Sequence, residues 1–177
     1  MVKKILKFLL FFFFFIFALI AFMPKESFYF LLEKELKEFE IVISNEALHE
    51  NLFSLNVQNL ELNTKGIESA VARNAEITLL LFYNSIDLED VQISSLIDAY
   101  APSKVDTLEI SYTILNPLVV YAKASGDFGE AKITFEFLER KLQAIVKPSK
   151  VMLTQYQKSM RMLQKDENGE YVYAKTF

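Results

Sequence analysis

The side chains able to carry chemistry are few and far apart. His49 is the only histidine, and cysteine is absent. Thiolate catalysis, disulfides and two-histidine metal centres are therefore excluded, as is a serine–histidine relay on any other imidazole. His49 lies in the polar stretch "SNEALHEN" and reads as a surface residue. Asp87, Glu89 and Asp90 cluster in "IDLEDV", but a calcium loop needs more oxygen ligands and a glycine at its turn. They read as solvated loop carboxylates. Gly126 and Gly129 are the one close glycine pair, and no lysine follows them at phosphate-loop spacing. Paired acids for glycoside hydrolysis meet only in space, yet tryptophan, the usual sugar-stacking residue, is absent. The expectation is a non-enzymatic protein with no catalytic, cofactor-binding or metal residues and no cofactor.

One polar feature stands out by charge. Residues 140–165 contain seven Lys/Arg and no Asp/Glu, whereas residues 26–98 carry fourteen acidic and four basic residues. Lys147, Lys150, Lys158, Arg161 and Lys165 are thus candidate contacts for anionic headgroups or an acidic partner. The plainer reading is a solvated face. Nucleic acid is a poor partner, because the region past residue 25 is acidic overall and the basic stretch does not concentrate aromatics.

These groups must be positioned by elements of two kinds. From Phe8 to Met23 no side chain is polar. As a helix that run, extended to Ile5, covers about 24–28 Å, close to a hydrocarbon core, with Lys7 able to snorkel. A soluble helix would keep a polar stripe, which is lacking here. A cleavable signal would prefer A-x-A near its end, and Ala18 and Ala21 are spaced A-x-x-A. An uncleaved anchor is expected over residues 1–24. Lys3, Lys4 and Lys7 before the span, against Lys25 beside Glu26 after it, place the N-terminus in the cytoplasm and export the rest. The localisation expected is a bacterial inner membrane, crossed once, with the bulk of the chain in the periplasm.

Residues 25–38 read as a juxtamembrane helix, with Phe28, Leu31 and Leu32 on one side. Residues 39–177 then change to a period of two. Phe53, Leu55 and Val57 share a phase that Leu60 and Leu62 break, which suggests a bulge or break at Gln58-Asn59. Ile77 to Tyr83 is apolar on both faces and reads as a doubly buried strand. "SGDFG" reads as a hairpin turn, and "EYVYAKTF" as a closing strand. "SSLIDAYA" suggests a short helix. From Ser149, a plausible N-cap, Met152, Tyr156, Met160 and Leu163 repeat as one helical face that stops near Asn168-Gly169. The fold class is mainly β with flanking helices. A single transmembrane helix precedes a curved antiparallel sheet or sandwich-like domain, with a C-terminal amphipathic helix against it.

"NPLVVYAKASGDFG", "ERKLQAIVKPSK" and "DENGEYVYAKTF" resemble exported segments of the type II secretion N component and its AsmA-like relatives. That resemblance implies a short cytoplasmic tail, one span and a periplasmic sheet, and it transfers no site residue. Two function classes follow. One is a scaffold subunit of an envelope machine of secretion, pilus, transformation or flagellar-motor type, partnered by other envelope proteins. The alternative is a lipid-handling module; the C-terminal helix, able to cover one face of the sheet, favours the scaffold. A scaffold predicts a closed core, whereas a lipid trough predicts an apolar sheet face without an opposing layer. A reporter enzyme active only outside the cytoplasm, fused after Phe177, should be active on a product that retains Met1–Pro24; a shortened free product would refute the anchor.

Overall fold

Backbone groups inside an apolar segment have no water to bond and must satisfy one another, so the opening run folds as helix α1 (Val2–Ala21). The computed structural model describes residues 2–94, 102–167 and 170–177. Within it, Lys3–Ala21 is a helix long and apolar enough to cross a membrane, and the rest of the protein buries none of it. Pro24, which cannot donate an amide hydrogen, precedes α2 (Lys25–Glu38).

Past α2 the alternating segments become β1 (Ile41–Ser44), β2 (Ala47–Glu50), β3 (Ser54–Thr64), β4 (Ile67–Leu79), β5 (Tyr83–Ile93) and β6 (Lys104–Thr113). Then come β7 (Val119–Gly126), β8 (Gly129–Glu136), β9 (Lys141–Pro148), the short helices α3 (Lys150–Gln155) and α4 (Gln157–Met160), β10 (Gln164–Lys165) and β11 (Tyr171–Thr176). Among the described residues all the strands lie in one antiparallel sheet, ordered β1-β3-β4-β5-β6-β7-β8-β9-β11-β10, with β2 also on β3. From β3 to β9 each strand folds back antiparallel on its predecessor, whereas β1 and β2 share β3 and β11 returns to β9 past the two short helices. The sheet is open and single, so the sandwich-like alternative is not what forms.

One face is apolar. Leu55 and Val57 on β3, Ala75 and Ile77 on β4 and Val91 on β5 are buried. Each large aliphatic side chain so buried contributes about 1.5–3 kcal/mol. Strict alternation fails along one transverse row. On β3, Val57 and Leu60 face the core with Gln58 and Asn59 between them. On β4, Ala72 and Ala75 flank Arg73 and Asn74, and on β5, Leu88 and Val91 flank Glu89 and Asp90. On β6, Val105 and Leu108 flank Asp106 and Thr107. Four neighbouring strands thus slip phase together, and the register holds across the slip, with Gln58 opposite Asn74 and Leu60 opposite Ala72. Asn59 and Asp90 take positive φ there, as does Asn45, which splits the edge strand into β1 and β2. Asn and Asp tolerate that conformation best after glycine. The break expected at Gln58-Asn59 therefore exists without a bulge; the register shift in this pair comes between Leu62 and Asn63.

Several expectations need correction. Ile77–Tyr83 is not a doubly buried strand: β4 stops at Leu79, and 80–82 is a connection in which Phe82 is exposed. The C-terminal amphipathic helix is not a continuous one. It breaks at Tyr156, whose φ and ψ of −103° and 44° separate α3 from α4, although Met152, Tyr156, Met160 and Leu163 do pack on the core. Ser149 does cap α3, its hydroxyl accepting from the Met152 amide at 3.2 Å. On α2 the buried side chains are Lys25 and Tyr29. Asp87, Glu89 and Asp90 sit on strand β5, not in a loop. "SSLIDAYA" beyond Ser94 and the Asn168-Gly169 stop lie outside the described residues.

The β7–β8 turn is closed by Gly126 opposite Gly129. Gly129 has φ +110°, and a Cβ there would overlap the Lys147 carbonyl of β9. Gly66 has φ +77° but open space around it. Gly129→Val should lower stability by at least about 2–3 kcal/mol, because strain and overlap add, whereas Gly66→Ala should cost about 1 kcal/mol. Urea unfolding of the two variants, compared with the parent, checks the order.

Candidate functional site

The apolar face needs a cover, and three helices supply it incompletely. α2 packs on β1, β2 and β3, where Tyr29 is buried and Leu36 joins the core. Met152 of α3, with Tyr156 and Met160, covers the other part of the sheet. Between these helices and the strands two hollows stay open. The first, about 280 Å³, lies beside Phe28, Tyr29 and Leu32 of α2, over Ile77, Ile86 and Ile110. The second, about 480 Å³, lies beside Met152, Met162 and Leu163, over Leu108, Phe128 and Val146. They are one step apart on β6, where Ile110 lines the first and Leu108 the second. On β7, Val120 lines one and Ala124 the other. Small side chains explain the space: Ala124 and Ala131 are paired across β7 and β8, and Ala144 follows opposite Ile133.

The lining is mostly apolar, with Asn84, Ser85 and Ser111 beside the first hollow and Ser159 beside the second. The Tyr29 hydroxyl is buried with the Glu46 carboxylate as its polar neighbour. Burial first, then the carboxylates of Glu46 and Glu33, raises the Tyr29 pKa well above the usual phenol range, so the group stays a neutral donor. Among the described residues no group of His, Asp and Glu side chains is arranged to hold a metal ion. The arrangement can bind an apolar molecule.

A joint ties α1 to the sheet. Lys25, 1% exposed, has its Nζ 3.3 Å from Glu50 Oε1 and 3.3 Å from the Met23 carbonyl. One helical turn before the end of α1, Phe17 stacks edge-on with Phe53 of the β2–β3 connection, ring centres 5.9 Å apart. This fixes which end of the sheet lies at the anchor: the end where β2 stops and β3 starts.

The five candidate basic residues lie elsewhere. Lys147 pairs with Glu170 at 3.3 Å, and Lys165 sits 5.9 Å from the Tyr171 ring centre. Lys158 and Arg161 share a polar hollow with Tyr156 and Ser103, where the Tyr156 and Ser103 hydroxyls are 2.9 Å apart. Lys150 opens α3. Lys147 and Lys165 mark the far end of the sheet, since β9 runs from Lys141 at the anchor end to Pro148 at the other. His49 is exposed on β2. Spacing could not reveal the cleft, because its lining comes from elements scattered from residue 28 to residue 173. The alanines of β7, β8 and β9 were the available signal.

Removing Glu50 would leave the buried Lys25 ammonium one carbonyl partner. Glu50→Ala should cost about 1–3 kcal/mol, as expected for losing a bond to a charged group. Adding Lys25→Met should recover much of it, since an apolar replacement removes the stranded charge. Urea unfolding in detergent, followed by far-ultraviolet circular dichroism, measures both.

The chain matches no family model, and neither a curated protein nor a solved structure is significantly similar to it.

Proposed function

We propose that this protein is a non-enzymatic module, held by α1 in a bacterial inner membrane with its sheet in the periplasm, that takes up the acyl chain of a lipid in the cleft under α2, α3 and α4. The observation that carries the reading is the pair of adjoining apolar hollows under the helices. The acyl chain of a lipid matches such a wall in chemistry. The volumes fall near the range of small-molecule sites. Along β7, Val120 to Gly126 spans about 20 Å, comparable to an extended acyl chain.

Location supports the same choice of ligand. The Lys25 and Phe17 contacts put the first hollow at the end of the sheet where α1 leaves it. The scaffold reading drew its weight from a C-terminal helix closing the core, and the break at Tyr156 with a hollow beneath it removes that weight. The resemblance to AsmA-like proteins is compatible with lipid handling.

The full chain, reconstituted in nanodiscs, should be labelled by a photoactivatable fatty acid, with cross-links on cleft residues such as Met152 and Leu32. Ala131→Leu with Ala144→Leu fills the second hollow and should reduce labelling several-fold while the fold is retained. Equal labelling of parent and filled variant, or cross-links confined to α1, would count against the proposal.

A further inference from the structure

The connections between strands differ sharply at the two ends of the sheet. At the end joined to α1, the β2–β3 connection presents Leu52 and Phe53, and the β4–β5 connection presents Phe82, 61% exposed. The β6–β7 connection presents Leu115, 91% exposed, with Ile114 and Leu118. The β8–β9 connection presents Phe137 and Leu138, the latter 77% exposed, and Phe177 follows β11 at the same end. Residues 51–53, 80–82 and 114–118 contain no charged side chain. These loops are neighbours: the Ile114 amide donates to the Phe82 carbonyl at 3.2 Å, Phe137 to Leu118 at 2.9 Å, and Phe177 to Arg140 at 3.0 Å. At the far end, among the described residues, the β3–β4 turn is Lys65-Gly66 and the β7–β8 turn exposes Asp127 while burying Phe128; Phe39 and Ile67 are exposed there too, but each stands beside glutamate.

A row of exposed aromatic and aliphatic side chains along one edge is a contact surface. We infer that this edge is a membrane-seated rim: the loops at the anchor end immerse in the outer leaflet of the bilayer that α1 crosses. The occupant is identified by Phe17. It lies four residues before the end of α1, about 6 Å inside the span at 1.5 Å per residue, and Phe53 of the rim stacks on it. A loop at that depth is among acyl chains, and the loops beside it carry the same chemistry. The rim has the character of an interfacial anchor, apolar residues with few charges, and Arg140 and Lys175 are at hand for headgroups. The strands then stand away from the membrane, with the first hollow near the bilayer. The inference rests on α1 spanning the membrane and is independent of what the cleft holds.

The chain has no tryptophan, so single substitutions report position cleanly. Leu115→Trp, Leu138→Trp and Phe82→Trp change exposed side chains and leave the core intact. In full-chain proteoliposomes containing lipids brominated on the acyl chain, all three should show blue-shifted, strongly quenched emission. Phe12→Trp inside α1 should match them, and Lys65→Trp at the far end should emit as in water without quenching. Quenching at Phe12→Trp with silent rim positions would overturn the rim alone. Silence at Phe12→Trp as well would overturn the anchor with it. Blue-shifted but unquenched rim tryptophans would mean a protein covers the edge, and would also overturn the inference.

Discussion

An antiparallel sheet with one apolar face must find cover for that face, and this chain has little helix to provide it. Outside the apolar α1, the described helices are α2, of fourteen residues, and the short α3 and α4. Among the described residues no second sheet packs opposite, because every strand is committed to one sheet. The consequence is a core that closes over β3 and β4, where α2 brings Tyr29 and Leu36, and under Met152 of α3. It stays open between the helices. Apolar surface left uncovered in water is costly at roughly 25 cal/mol per Å².

The position of that cleft depends on the joint at Lys25. A charged side chain taken almost fully out of water needs close partners, and Glu50 with the Met23 carbonyl supplies them. The pair fixes the start of α2 against β2, and α2 then runs alongside the sheet until the Lys65 amide donates to the Glu40 carbonyl at 2.9 Å near the far end. Two contacts, one ionic and one aromatic, so orient the sheet relative to α1. The same orientation separates the apolar loops at one end from the basic residues at the other.

The transverse phase slip is a second device of the sheet. Two outward residues in succession on β3, β4, β5 and β6 put a polar row across the back. There Arg73 pairs with Asp90 at 2.6 Å, Lys104 with Asp106 at 2.8 Å, and Asn56 bonds Asn74 at 2.7 Å. Such exposed ion pairs contribute little each, about 0–1 kcal/mol. The same row splits the edge strand at Asn45, and an interrupted edge is a poor template for further pairing. The other edge, β10, has two residues.

Much of this was legible along the chain, for reasons that are local. The apolar run of α1 has no polar face to hide, so its helix and its exposure follow from composition. Alternation marked most strands, Ser149 marked the start of α3, and the phase change at Gln58-Asn59 was visible as a parity error between Val57 and Leu60. Where neighbours in space decided, the one-dimensional pattern misled. Leu80-Leu81-Phe82 looks like the second face of a strand, because alternation cannot tell a doubly buried strand from a strand running into an apolar loop. Met152, Tyr156, Met160 and Leu163 keep one helical phase although the backbone breaks at Tyr156, since their shared packing on the sheet preserves the phase across the break. The chain by itself determined an apolar helix followed by a β-rich domain. The tertiary structure alone decided that the strands form one open layer, that the alanines of β7, β8 and β9 line a common hollow, and that the apolar loops share an edge with Phe17. Each of those is a relation between residues distant in sequence, fixed by strand register and helix packing.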